Sequence, residues 1–415
     1  MDGRSASCNP YLTKTRTALL WSWILNTPFW AIYGMLPFIL YKDLHATPLQ
    51  IGVAFTLKPL VSLFAMYWSV WVNKRKDRLK GNVILAGFLG HLPFFFFPFV
   101  DNPWFFVASF SFYMLMARGA KPAWMEILKI NIPAENRTRL FAYASAFEYL
   151  GGGVLPFVIG WLLDGYFQAW RWIFPFTALI SIFAMLFQFR IPIKTDDTSI
   201  PVQEQYKPLV SQLLHPWRDV WHLLMSRPDF ARFQLGFMLG GAGVMLMQPA
   251  LPKFFMDVLN LSYLELAIAL TLCKGLGYAL TSPLWARWIH RMDIYRFLSI
   301  VTFLFALFPL GLLMAEWYSY WLYVSYIAYG IMQAGSELSW NLSGPIFAKD
   351  EDSSLFSTVN LLTGGLRGCI FPPLGAALCA SFHPTLIMLG GTVLCLAATA
   401  SMYKFSQEYL ALEKA

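Results

Sequence analysis

Stretches of about 20 mostly apolar residues recur along the whole chain, separated by short polar breaks, and this pattern fixes the solvent before anything else. A helix rises ~1.5 Å per residue, so about 20 apolar residues cover the ~30 Å of hydrocarbon in a bilayer. Such runs read at 17–41, 49–72, 82–100, 104–129, 138–163 and 170–190. They resume at 229–257, 263–288, 295–315, 317–347, 354–382 and 384–405. Only 13% of the residues are charged, whereas a soluble domain needs about 25% to wet its surface. The expected fold class is therefore an all-α polytopic membrane protein with about twelve transmembrane helices, numbered here as spans 1 to 12.

The charges between the spans set an orientation. Lys74, Arg75, Lys76, Arg78 and Lys80 separate spans 2 and 3, and Lys129, Arg137 and Arg139 separate spans 4 and 5. Arg287, Arg291 and Arg296 lie between spans 8 and 9, while the alternate loops carry little positive charge. Basic loops stay cytoplasmic, so both termini are expected in the cytoplasm of a multi-pass plasma-membrane protein, or an inner-membrane protein in a Gram-negative cell. The net charge of +8 is thus topogenic and forms no nucleic-acid-reading stripe. Of five cysteines, four lie in apolar runs, with no CxxC pair or His/Cys cluster, so no metal and no cofactor are expected. The polar segment Met1–Arg16 leads directly into a crossing-length span, and no cleaved signal peptide is read there.

One long polar connection divides the chain into an N-terminal half at 1–190, a linker at 191–228 and a C-terminal half at 229–415. Within the linker, Leu209, Leu213, Trp217, Trp221 and Leu224 recur at helical spacing among Arg218, Asp219 and His222. This predicts an amphipathic helix lying at the membrane interface. The His215 and Asp219 pair within it reads as decoration of that interface and not as a catalytic dyad.

The two halves repeat. Leu36-Pro37 and Leu251-Pro252 lie 215 positions apart, as do Thr56 and Thr271, and Leu140-Phe141 and Leu355-Phe356. At 216 positions, Lys58 matches Lys274, Gly119 matches Gly335, Trp124 matches Trp340 and Pro156 matches Pro372. An even number of spans separates the copies, so they share one orientation. That is the parallel-repeat arrangement, with a solute site expected between two six-helix halves.

Twelve spans, parallel halves, a long middle loop and a basic loop between spans 2 and 3, repeated between spans 8 and 9, resemble the major facilitator superfamily along essentially the whole chain. The superfamily's loop motif reads roughly G-x-x-x-D-R-x-G-R-[KR]; here Ser69 to Arg78 occupies that place. Asn73 stands where the acid belongs and Lys76 where the second glycine belongs. Arg118 resembles the buried arginine of the family's fourth-helix motif, with Pro122 in place of the following glycine. The resemblance implies a secondary transporter, with Asn73, Arg75, Arg78 and Glu126 as candidate gating residues.

Ionisable groups inside a bilayer cost at least ~2.5 kcal/mol and normally face a cavity or a partner. The candidates are Lys58, Arg118, Lys121, Glu126, Glu148, Lys274, Glu337 and Arg367. None falls in the middle of spans 3, 6, 9 or 12, which the resemblance makes peripheral. Bases outnumber acids in this set, so the expected solute is a small organic anion held by Lys58, Arg118, Lys121, Lys274 or Arg367. Trp124 and Trp340 are added as candidate cavity walls. Glu148 is the first candidate for carrying a coupling proton, since a carboxyl inside the membrane can load and release one. Glu337 and His91 follow, and ion-free uniport is the alternative. The expected partners are the solute, protons and the lipid bilayer, acting on a monomer. Rival readings are an exporter of amphipathic compounds, a non-transporting sensor, which would carry an additional soluble domain, and a membrane-embedded lipid-modifying enzyme. The loops offer no catalytic constellation for the last, so an enzyme is not expected.

Overall fold

The computed structural model describes residues 10–73, 78–132, 152–192, 209–348 and 354–414, all helical or in short connections. In chain order the helices are α1 (Pro10–Lys42), α2 (Pro48–Asn73), α3 (Leu79–His91), α4 (Pro103–Asn131), α5 (Gly152–Gly165) and α6 (Trp170–Phe189). The linker helix α7 (Leu209–Ser226) precedes α8 (Pro228–Met247) and the short α9 (Ala250–Lys253). Then come α10 (Tyr263–Ala267), α11 (Lys274–Trp288), α12 (Ile294–Met314), α13 (Tyr320–Ala348), α14 (Ser354–Ser381) and α15 (Pro384–Lys414). Each of the twelve spans read from the sequence coincides with a helix, although only part of span 5 lies within the described residues. Eight described helices are long and apolar enough to cross a membrane.

Local chemistry sets the helix ends. The Asn102 side chain accepts the Trp104 N–H at 3.0 Å, with Pro103 opening α4. Ser262 and Glu265 form a reciprocal capping box at α10, and Asp293 caps α12. Such caps satisfy amide groups that a helix start leaves without partners.

Spans 3, 7 and 8 depart from regular α-helix. After His91 the chain tightens into a 3₁₀ helix at Leu92–Phe99, which contains Pro93 and Pro98. Arg171 holds the end of that turn, donating to the Phe97, Pro98 and Val100 carbonyls and pairing with Asp101. Span 7 continues past α9 as a π-helical turn at Phe254–Val258, and span 8 has another at Ile268–Cys273, directly before Lys274.

The chain forms two compact units. One comprises 1–44 and 61–205, the other 45–60 and 206–415. Residues 45–60 cluster with the second unit because Gly52 of α2 meets Ala376 and Pro59 meets Gly368, both on α14. The internal repeat is visible as packing inside each unit. Gly119 of α4 lies flat against the Trp68 ring of α2, and Gly335 of α13 lies against the Trp285 ring of α11. Small residues at such points let helices approach closely where no hydrophobic effect drives them together.

The first unit is held by an aromatic cluster. Phe29 contacts Phe94, Tyr113 and Phe174, and Phe97 contacts Phe106. In the linker helix α7, Val220 and Leu223 are buried, while Trp217, Trp221 and Met225 are exposed. His215 and Asp219 form an exposed pair at 2.6 Å on its polar side.

Candidate functional site

In the second unit, the close approach of α11 and α13 places Lys274. Gly330 of α13 faces the Lys274 carbonyl, and Gly277 of α11 faces the Ile327 carbonyl, at separations that leave no room for a side chain. A π-helical turn inserts one residue and so rotates the next stretch of helix, a device common at functional sites. Here it delivers Lys274 with its ammonium 5.2 Å above the Tyr329 ring. Lys274 also lies in the electrostatic fields of Lys58 and Glu337. The Glu337 carboxylate accepts the Tyr278 hydroxyl at 2.8 Å.

Arg367 of α14 is buried, and its guanidinium fills the space beside Gly241 of α8. Nη1 donates to the Phe237 carbonyl at 2.7 Å, and the group lies 5.2 Å from the Phe237 ring centre. Nε has no hydrogen-bond partner. Among the described residues no carboxylate pairs with Arg367. The contact between Pro59 and Gly368 joins α2 to α14 one residue away from both Lys58 and Arg367. The structure therefore brings Lys58, Lys274, Glu337 and Arg367 into one unit.

Below Arg367 along α14, uncharged groups complete a buried network. Gln234 of α8 bonds Asn360, which donates to Ser343 Oγ at 2.8 Å and to the Trp340 carbonyl at 3.0 Å on α13. Thr363 closes it with a bond to Gln234 at 3.2 Å. Trp340 packs its ring against Phe237 and against Gly364.

The remaining sequence candidates fall elsewhere. Lys121 and Trp124 line a cavity of about 290 Å³ within the first unit, among α1, α3, α4 and α6. Asn26, His91, Tyr113 and Gln188 share its wall. Arg118 is exposed on α4, within electrostatic reach of Tyr33. Glu126 approaches Lys129 of its own helix at 3.8 Å, and Arg78 is exposed at the start of α3. Arg75 and Glu148 lie outside the described residues, and so does the side chain of Asn73.

Comparison with known proteins decides the family. A family model described as the Major Facilitator Superfamily matches residues 19–348 and 235–409. The chain belongs to the major facilitator superfamily. It is a multi-pass membrane transporter of the secondary type and not an enzyme. Solved structures similar to it include a point mutant of the nucleoside transporter NupG, with a TM-score of 0.75 and 13% identity over 94% of this chain and 99% of that one. A bacterial homologue of the human lysosomal transporter Spinster gives 0.67 with 15% identity over 98% of this chain and 99% of that one. A D-xylose–proton symporter gives 0.65 with 14% identity over 95% of this chain and 98% of that one. No curated protein sequence matches.

For this transporter, the sequence singles out the charges within the spans but not their surroundings. Tyr278, Tyr329 and Phe237 were unmarked among many aromatic residues. Gln234, Asn360 and Thr363 carried a usable signal, being uncharged polar groups inside otherwise apolar spans.

Proposed function

We propose that the transporter carries a small organic anion, a carboxylate or phosphate ester, bound at Lys58, Lys274 and Arg367 and exposed alternately to the two sides of the membrane. The observation that carries this reading is the buried Arg367 guanidinium, which spends one N–H on a carbonyl and keeps Nε without a partner. A planar guanidinium with free donors matches a carboxylate or phosphate in geometry as well as in charge. Lys58 and Lys274 strengthen it, because two like charges held in each other's field favour an anion beside them.

Glu337 offsets part of this charge and, with Glu148, is our candidate for proton coupling. The linker at 191–228 would lie on the cytoplasmic side with both termini. The test is ligand-dependent thermal stabilisation of the purified protein, using carboxylates and phosphate monoesters against their neutral esters and alcohols. Members of the anionic set should stabilise the wild type and fail to stabilise Arg367→Ala. Stabilisation by neutral members alone would refute the proposal.

A further inference from the structure

The linker helix α7 packs against α8 and α14 and turns a flank of rings away from them. At ~100° per residue, buried Val220 and Leu223 mark the packed side, and Trp217, Trp221 and Met225 fill an arc of ~80° beside it. Trp221 and Met225 are each 62% exposed. Arg218 and His222 follow within the next ~60° of the helix, both exposed and one turn apart. Neither has a hydrogen-bond or ion-pair partner among the described residues, whereas Asp219, the one acid of α7, is taken up by His215.

The direction of these flanks is fixed where α7 meets α8. The Arg227 side chain pairs with Asp229 at 3.0 Å, donates to the Phe347 carbonyl at 2.8 Å and lies 5.5 Å from the centre of the Phe356 ring. One residue thereby ties the corner to the end of α13 and the start of α14. Helix α8 begins at Pro228 and is long and apolar enough to cross a membrane, so the last turn of α7 stands at the surface of the bilayer. A protein partner would have to be recruited to that place; lipid is already there. Tryptophan settles at the boundary between hydrocarbon and headgroups, and exposed bases attract anionic phospholipids.

We infer that α7 is a binding site for an anionic phospholipid: Trp217, Trp221 and Met225 enter the leaflet, and Arg218 and His222 take the headgroup phosphate between them. Side chains at i and i+4 of a helix stand ~6 Å apart, a spacing that one phosphate group bridges. A guanidinium binds phosphate through paired N–H donors. The apolar pattern of the sequence places this helix at the interface; the two bases without partners beside the rings are what select the lipid. The inference rests on the membrane location of the chain and not on the identity of its solute.

The experiment is hydrogen exchange of the full-length protein in nanodiscs of phosphatidylcholine, and of phosphatidylcholine mixed equally with phosphatidylglycerol. Amides of residues 217–226 should exchange about fivefold more slowly in the mixed lipid, the gain expected of a single base at a charged surface. Arg218→Gln combined with His222→Gln changes only exposed side chains. It should remove that difference and leave α7 in phosphatidylcholine at the wild-type rate. Soluble glycerol phosphate added to phosphatidylcholine discs should protect nothing. Equal exchange of α7 in the two lipids, a lipid effect that survives in the double variant, or protection by glycerol phosphate alone would overturn the inference.

Discussion

Replacing Gly330 by alanine should separate α11 from α13 at the level of Lys274. A Cβ at this position would lie 2.0 Å from the Lys274 carbonyl oxygen and 2.7 Å from the Tyr278 backbone nitrogen. Ordinary contact begins near 3.4 Å, so the two backbones must part by about 1.4 Å, since neither obstacle is a side chain that can rotate away. Overpacking of this kind costs ~1–3 kcal/mol. The same movement would carry the Lys274 ammonium from 5.2 Å above the Tyr329 ring past the ~6 Å reach of a cation–π contact. The control is one residue from the lysine: Gly275 meets nothing within 4 Å of an added Cβ. Gly275→Ala should keep wild-type stability, or gain up to ~1 kcal/mol of helix propensity. Thermal unfolding in detergent and anion-dependent stabilisation are the two readouts. Gly330→Ala should melt lower and lose most of its response to anions, while Gly275→Ala keeps both. If the two variants behaved alike, the claim that backbone contact positions Lys274 would be wrong.

Gly241→Ala would put a Cβ 1.9 Å from Arg367 Nη1 and should displace the guanidinium from the Phe237 carbonyl, weakening anion binding with little change in the apolar core; titration of the variant against wild type checks it. Asn360→Leu leaves Gln234 and Ser343 without their shared partner and should lower stability by about 1–3 kcal/mol, measured by chemical denaturation. Glu126→Gln removes only a 3.8 Å pair with a largely exposed lysine, so its effect on stability should stay below ~1 kcal/mol. Arg171→Ala strips the donors from the turn ending at Phe99 and should raise hydrogen exchange around residues 97–101 specifically.

The spans were legible because length and hydropathy alone decide what crosses a bilayer. The repeat was legible too: Gly119 and Gly335 recur 216 positions apart, and each packs against a tryptophan of a neighbouring helix, Trp68 and Trp285, that the repeat reading did not mark. What sequence could not give was the local helix geometry. The π-helical turn at Ile268–Cys273 contains no proline or glycine, so nothing in its composition marks it. Nor could pattern reasoning divide the charged candidates, because Lys58 and Lys121 both sit deep in apolar runs. Tertiary contacts place Lys58 by the Pro59–Gly368 contact and set Lys121 on the rim of an aromatic cavity. Asn26 and Gln188 show the same limit: each is a single amide in an apolar helix, and only the fold aims both into one space.

Uptake into proteoliposomes tests most directly whether Lys58, Lys274 and Arg367 form a site for an organic anion. Carboxylates and phosphate esters should accumulate saturably in vesicles holding the wild type, and uptake should fall to background with Lys58→Ala combined with Arg367→Ala. Transport of a cationic solute at an undiminished rate by that double variant would contradict it.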